Sequence, residues 1–449
     1  MNYAKVLLDL YRLKWNEKKS SAQMSVVQDK KLRRLLHFAW EHSEYYHHAF
    51  AEAGITKDQI SKLPLSAFPS IDKGILMEHF DDLVTVPGLK QAELRKFDEK
   101  EGMENQTFQN CHVVHSSGST GIPGYFIYDE DAWNQMLLGL IRGALWNMKM
   151  PQIIKLLIGR PKILYIAATD GRYGGAMAVG DGIRGVGASQ KYLDINTPLE
   201  EWVEITSAFR PDIIIGYSSA IKILGELVEQ GKVQVEVKRV ISCGEPLTLG
   251  LRCFLEKVFR AQVVNFYGAS ESLALDVETG HEEGMVLFDD LNLIEVENGT
   301  MYLTSLYNFA QPLIRYRISD NLALKEPLAG SPFTRAEILL GRDEDILWFE
   351  DGKGGRDFLH PLAVEGFCVE GLKDYQFRQI DKTAFEMLAE VTDFNRKKAV
   401  RLEVLEKMKG ILAEKRLAHV QFYVRFVDGI MPDRSTGKKP LILAGEVAV

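Results

Sequence analysis

The sequence predicts an α/β chain with a second folding unit towards its C-terminus. Three observations predict it. Beyond about residue 110, short β-branched runs alternate with glycine-rich turns and helical stretches. Residues 29–53 instead carry a helical period, and GRDEDILWFEDGKGGRDF combines charges and glycines with few apolar anchors, so Gly341 to Arg356 reads as the start of the second unit.

The elements follow in order. From Asp29 to Ala53 the apolar positions Leu32, Leu35, Leu36, Ala39, Trp40, Tyr45, Phe50 and Ala51 recur mostly at three- and four-residue steps, and Gly54 supplies a stop. Of the histidines of this region, His37, His42, His47 and His48, His42 and His47 are five apart and so do not share a helix face, and no metal is expected there. Lys162 to Ala168 reads as a strand. Pro211 to Ile215 leads into a helical Ala220 to Gln230, and Val237 to Ser242 into a helical Leu249 to Phe259. Gln262 to Tyr267 ends in a loop. Met301 to Thr304 and Leu313 to Ile318 read as strands, Arg396 to Arg416 as a helix and His419 to Val427 as a strand.

Composition bounds the function. The 449 residues are 46% hydrophobic and 26% charged, and 54 basic against 62 acidic side chains give a net charge of −8. That balance excludes a protein held on nucleic acid by counterion release. Cys111, Cys243, Cys253 and Cys368 lack CxxC spacing, so they read as reduced, buried thiols rather than a zinc or disulfide framework. Lys5, Asp9 and Arg12 interrupt the first apolar run, which excludes a signal peptide. Apolar runs such as Ile163 to Ala168 fall short of the roughly 18 residues of a membrane span. The expected compartment is the cytoplasm, with no membrane partner.

Several motifs carry chemistry. His115 to Pro123, HSSGSTGIP, can offer successive backbone N–H groups and hydroxyls to phosphate oxygens, although the same composition also describes an ordinary loop and the spacing is not that of a Walker loop. Gly180 to Gly185, GDGIRG, satisfies GxGxxG literally but neither follows a strand directly nor opens a helix. Gly216 to Ala220, GYSSA, approximates a nucleophile elbow at Ser218, with no identifiable acid or histidine partner. Four further blocks are SCGEPL at 242–247, FYGASES at 266–272, LIRYRISD at 313–320 and GRDED at 341–345, and PDRSTGKKP lies at 432–440.

HSSGSTGIP, these four blocks and PDRSTGKKP stand in the order found in adenylate-forming enzymes. The chain resembles the phenylacetate-CoA ligase branch of that superfamily, including its CapK-like members. The resemblance extends to LRRLLHFAWEHSEYYHHAFAEAGI near the N-terminus and GLKDYQFRQ near the C-terminus. It implies a large N-terminal ATP- and acid-binding domain, 1–341, with helix-flanked sheets, and a small mobile C-terminal α+β domain, 342–449. The implied activity is ATP-dependent conversion of an aryl or acyl carboxylic acid to an acyl-adenylate, then transfer to a thiol, coenzyme A above all.

Residue by residue, the resemblance implies that Ser117, Gly118, Ser119, Thr120 and Gly121 cradle phosphate. Gly244, Glu245, Pro246, Tyr267 and Gly268 fall where the family lines its adenine pocket. Glu271 matches the magnesium-binding glutamate, and a hard oxygen ligand suits Mg²⁺. Asp320 matches the ribose-binding carboxylate, Arg342 the arginine near ribose and α-phosphate, Lys438 the lysine that reaches the α-phosphate during adenylation, and Glu344 the hinge.

The sequence also departs from the family. Gly124 and Tyr125 follow the loop where Lys or Thr is frequent, Ser319 replaces a glycine, and His281 lacks the cysteine partner seen in this branch, so no zinc is expected. An acyl carrier protein as thiol donor, nucleotidyl transfer, a homodimer, a non-catalytic nucleotide-binding homologue and a serine hydrolase built on Ser218 stand as the other readings.

Overall fold

The structure, a computed structural model, describes residues 3–98, 107–115, 124–167, 187–194, 199–280, 284–297, 300–339, 347–350, 356–359, 369–414, 417–431 and 440–443, with a few isolated positions besides. The chain opens with helices α1 (Tyr3–Asn16), α2 (Ser21–His42) and α3 (Glu44–Glu52), then the short α4 (Lys73–Glu78), α5 (Phe80–Leu83) and α6 (Gln91–Asp98). Next come β1 (His112–His115), β2 (Tyr125–Tyr128), α7 (Glu130–Ala144), α8 (Met150–Ile158), β3 (Lys162–Ala167), β4 (Ser189–Asp194) and α9 (Leu199–Phe209). Alternation continues through β5 (Ile213–Gly216), α10 (Ser218–Glu229), β6 (Arg239–Cys243), α11 (Leu249–Phe259) and β7 (Gln262–Ala269). A run of strands follows: β8 (Ser272–Glu278), β9 (Met285–Leu287), β10 (Asn292–Glu297), β11 (Thr300–Ser305), β12 (Tyr316–Lys325), β13 (Arg335–Leu339), β14 (Leu347–Glu350) and β15 (Arg356–Leu359). The chain ends in β16 (Leu372–Asp381), β17 (Ala384–Val391), α12 (Lys397–Glu414), β18 (Gln421–Phe426) and β19 (Ile442–Leu443).

Two compact units result. The first comprises Met1–Tyr192, Phe266–Ile318 and Ala323–Glu337, the second Leu193–Asn265, Ser319–Leu322 and Ile338–Val449. In the first, strand neighbours run β10-β11-β12-β13-β9-β8-β7, β3 lies beside β4, and β1 with β2 forms a separate antiparallel ladder. Helix α7 packs on β8, and its fully buried Arg142 clamps Asp290 with bonds of 2.7 and 2.8 Å.

The helical period read over residues 29–53 is interrupted at Ser43, whose backbone N–H closes α2 on Ala39 while its hydroxyl caps α3 at Tyr46. One serine therefore ends one helix and starts the next. Gly54, at φ +72°, follows the last turn of α3. His42 and His47 are spent locally, their Nδ1 atoms lying 3.0 Å from Phe38 O and 3.2 Å from Trp40 O. The strand expected from Leu313 begins only at Tyr316. Arg315 adopts φ 48°, and its guanidinium is fixed by Glu295, Glu297 and the carbonyls of Ser66 and Phe68, so the backbone cannot be extended there.

In the second unit β5 and β6 pair in parallel, with Ile213 opposite Arg239, and β7 follows as the next neighbour. The C-terminal sheet has the order β18-β17-β16-β19. Tyr375, Phe377, Phe385 and Met387 pack in one core with Val400, Val404, Met408 and Leu412, a four-residue repeat along α12. Strands β14 and β15, in and just beyond the stretch read as the start of the second unit, pair as a hairpin, with Leu347 and Phe349 in that same core. Helix α11 packs against β16. Beside it lies a buried ion-pair cluster: Lys222 Nζ on α10 reaches Asp374 at 3.0 Å and Glu390 at 2.5 Å, and Lys373 joins Glu226 to Glu390. Burial alone would push the Lys222 ammonium down, yet Asp374 and Glu390 together hold it above the usual lysine value. Among the described residues no helix is long and apolar enough to cross a membrane.

Candidate active site

The Ser/Gly block falls between β1 and β2, and its residues 116–123, Ser117 to Gly121 among them, lie outside the described residues. Its two ends do not. His115 and Tyr125 are antiparallel partners, so the block is the connection of a β-hairpin whose entry and exit are pinned side by side. Strand β2 is held on its other edge by amides rather than by a strand. Gln311 Oε1 accepts from Ile127 N at 2.8 Å, its Nε2 donates to Tyr125 O at 3.1 Å, and Asn308 Nδ2 donates to Ile127 O at 2.9 Å. Both amides are buried, and no sequence motif marked them. Tyr125 is a buried residue of β2 and packs in one core with Val113 and Ile127.

The FYGASES block is a strand, a turn and a strand. β7 runs on past the expected loop to Ala269, and only Ser270 and Glu271 separate it from β8. Gly268 makes that turn possible: a Cβ there would lie 2.2 Å from Leu273 O, although the position is exposed. Gly268→Ala is therefore expected to displace the hairpin and destabilise the first unit by about 1–3 kcal/mol, the usual cost of overpacking. Thermal unfolding of the variant checks this. Glu271 is half-buried at the turn, and its charge, after burial, helps to raise the Tyr316 hydroxyl on β12 above the usual tyrosine range. A half-buried carboxylate at a turn suits an ion that arrives already bound to phosphate and needs one protein oxygen. Among the described residues no group of three or more His, Cys, Asp or Glu side chains forms a metal cage of its own.

Gly244, Glu245 and Pro246 belong to the second unit and are described there alone. Gly244, at φ +76°, brings the backbone against the Tyr217 ring, where a Cβ would meet the ring at 2.9 Å. Glu245 is buried and its carboxylate is fully engaged. Oε2 accepts from Ser219 N at 2.8 Å and from Ser218 Oγ at 3.0 Å, and Oε1 accepts from Ser219 Oγ at 3.0 Å. The acid thus caps the N-terminus of α10, favourable for a negative charge. The same bonds correct the nucleophile reading of Ser218, which has no exposed surface and whose hydroxyl is committed to Glu245 and the Pro246 carbonyl.

Asp320 lies within β12, its side chain outside the described set, as is that of Ser319. Arg342, Glu344, Lys438 and His281 also lie outside the described residues. The C-terminal block re-enters them at Pro440, whose carbonyl accepts from Gln376 Nε2 at 2.8 Å, and β19 then pairs in parallel with β16.

No protein-family model matches the chain. Among curated proteins, the phenylacetate-coenzyme A ligase of Aromatoleum evansii is 26% identical over 355 residues, spanning 74% of this chain and 73% of that one. The phenylacetate-coenzyme A ligase of Escherichia coli (strain K12) is 26% identical over 358 residues and 74% of each chain, and protein CapK of Staphylococcus aureus is 23% identical over 252 residues and 54% of each. A 2-hydroxyisobutyryl-CoA ligase in the postadenylation state, in complex with R3-HIB-AMP, has the same fold, with a TM-score of 0.72 at 19% identity over 96% of this chain and 91% of that one.

A large α/β region with mixed sheets flanked by helices, and a smaller C-terminal α+β region, is the architecture the chain shares with that ligase. In sequence the chain is similar to the phenylacetate-coenzyme A ligases and to protein CapK.

Proposed function

We propose that the protein is an AMP-forming acid–thiol ligase that converts an aryl or acyl carboxylic acid to its acyl-adenylate and passes the acyl group to coenzyme A, in the cytoplasm. The observation that carries this reading is the alignment with phenylacetate-coenzyme A ligases over about three quarters of both chains. In the first step a carboxylate oxygen bonds to the α-phosphorus of ATP, the bond to the β-phosphate oxygen breaks, and pyrophosphate leaves. In the second the thiol sulfur attacks the acyl carbonyl, loses its proton, and expels AMP with the electron pair of the broken C–O bond.

No covalent enzyme intermediate is needed, so the chain supplies positioning and charge neutralisation. Ser117 to Gly121 offer backbone donors to the phosphates from the end of the β1–β2 hairpin. Glu271 holds Mg²⁺, which when bound draws charge from the phosphate oxygens. Tyr267, Gly268 and the Gly244–Pro246 turn line the adenine, where Glu245 acts through its cap on α10. Asp320 takes the ribose hydroxyls, and Arg342 and Lys438 neutralise the α-phosphate. The domain that starts at 342 swings about Glu344 between the two steps.

Carboxylate-dependent exchange of pyrophosphate into ATP, measured across a panel of aromatic and aliphatic acids, tests the first step. At least one acid is expected to support it, and silence across a broad panel overturns the activity. Adding coenzyme A to an active acid and detecting the thioester by mass spectrometry tests the second. An adenylate that accumulates without thioester points to a carrier-protein thiol instead.

A further inference from the structure

Helix α1 carries two apolar stripes. Val6, Leu10 and Leu13 are buried, the helix packs on α7, and its last residue, Asn16, donates from Nδ2 to Asp290 Oδ2 at 2.8 Å. Leu8, Tyr11 and Trp15 also follow one another at three- and four-residue steps, and they face water at 50%, 47% and 51% exposure. A surface helix seats itself on its core with one apolar stripe, and no described residue buries the second.

The charges around the outward stripe select what covers it. Lys5 lies one turn before Leu8, Arg12 beside Tyr11, and Lys18 and Lys19 just beyond the helix, with the Lys18 ammonium 5.0 Å from the Trp15 ring centre. The two acids of this stretch are already engaged, Asp9 with Arg12 and Glu17 with Lys14, each at 2.9 Å. Residues 5–34 hold nine basic against three acidic side chains, a local net charge of +6 in a chain of −8. An open depression of about 500 Å³, lined by Tyr11, Arg12, Trp15, Asn16 and Lys19, adjoins the stripe, and its cations and rings suit a phosphate headgroup. A second copy of the chain fits poorly. With Lys5 and Lys18 at the two ends and Arg12 in the middle, like charges meet whether the paired helices run parallel or antiparallel. Tryptophan and tyrosine flanked by lysine are instead the side chains that settle at the headgroup level of a bilayer.

We propose that the outward stripe of α1 docks the protein on the surface of an anionic lipid bilayer. Leu8, Tyr11 and Trp15 enter the interface, and Lys5, Arg12, Lys18 and Lys19 meet the headgroup phosphates. The contact is peripheral. No described helix is long and apolar enough to cross a membrane, and the expectation of no membrane partner rests on the length of apolar runs, which bears on spanning alone. Because its inner stripe already holds α1 in place, the helix is formed before it meets lipid, and docking loses no folding entropy. The inference is independent of the ligase reading.

The test is co-sedimentation of the full chain with vesicles of phosphatidylcholine alone and of phosphatidylcholine and phosphatidylglycerol in equal parts. Binding to the mixed vesicles is expected at low salt, weakening as salt rises, with little binding to the neutral ones. Each cation near an anionic surface contributes about fivefold in affinity, so Lys5→Gln combined with Lys18→Gln should weaken binding about 25-fold. Trp15→Ala, which removes a half-exposed aromatic face, should weaken it about tenfold. Both variants should keep the unfolding midpoint of the unaltered chain, since the side chains they change are exposed. Should Trp15→Ala fail to fold, Leu8→Ser reads the same stripe two turns away, with a loss in the same direction. Absence of binding to the mixed vesicles, equal binding to the neutral ones, or undiminished binding in the apolar variant overturns the proposal. Displacement by inorganic phosphate beyond that by chloride at the same ionic strength assigns the depression to a free anion, and a dimer in light scattering that Trp15→Ala dissolves assigns the stripe to a second copy. Either result overturns it as well.

Discussion

Lys222→Ala is expected to destabilise the second unit by about 3–5 kcal/mol, because it strands two buried carboxylates beside each other. Asp374 has no exposed surface and Glu390 is nearly as buried, at 0% and 6%. The lysine is their common partner. Lys373 compensates only in part, since it reaches Glu390 at 3.2 Å while its shorter bond, 2.7 Å, goes to Glu226. A further tie is the Ile430 backbone N–H, which donates to Glu390 Oε2 at 3.1 Å and so connects the end of the β18 segment to the same cluster. Differential scanning calorimetry should show the transition of this unit lowered by the order of 10 °C. Combining Lys222→Met with Asp374→Asn and Glu390→Gln removes the stranded charge, and most of the stability should return. A single variant that melts within a degree or two of the unaltered chain would show that the cluster is solvated enough to contribute little.

Lys438→Ala is expected to slow adenylation by about 10² to 10³, the usual effect of losing one charge-stabilising donor at a developing phosphate charge. Thioester formation from a preformed acyl-adenylate should be far less affected, because the phosphate transfer is already complete. Lys438 lies two residues before Pro440, where Gln376 and the β19 pairing tether the chain. Lys439→Ala, measured in parallel, fixes the register: the larger loss identifies the lysine that meets the α-phosphate. Unchanged pyrophosphate exchange in Lys438→Ala would take this residue out of the mechanism.

Much of this architecture was legible in the sequence where burial and periodicity agree. β5, α10, β6 and α11 fall within a few residues of their expected spans, since apolar runs such as Ile213 to Ile215 lie between clear turn residues. β16 and β17 were not foreseen, for a physical reason. Asp374 and Gln376 are buried, as are Tyr375 and Phe377, so polar side chains that find partners inside the second unit hide the alternation that normally marks a strand. β8 was hidden too, because Gly268, Ala269, Ser270 and Glu271 have the composition of a loop while two of them still belong to β7.

The blocks told more about chemistry than about contacts. Glu271 and Tyr316 sit in separate blocks 45 positions apart, and the influence of one's charge on the other's hydroxyl is a tertiary fact that neither block encodes. Glu245 could be read only as part of a turn. Its role as a cap depends on Ser218 and Ser219, which sequence had placed in a different motif altogether.

The amides that flank β2 have a consequence for association between copies of the chain. A two-stranded ladder leaves hydrogen-bonding groups open on each outer side, and such groups are templates on which another strand can add. On β2 the outward Ile127 N, Ile127 O and Tyr125 O are already occupied by Gln311 and Asn308. Two side chains thus do the work of a third strand, and the hairpin that carries the Ser/Gly loop is closed on that side to a partner that would otherwise extend it into an aggregate.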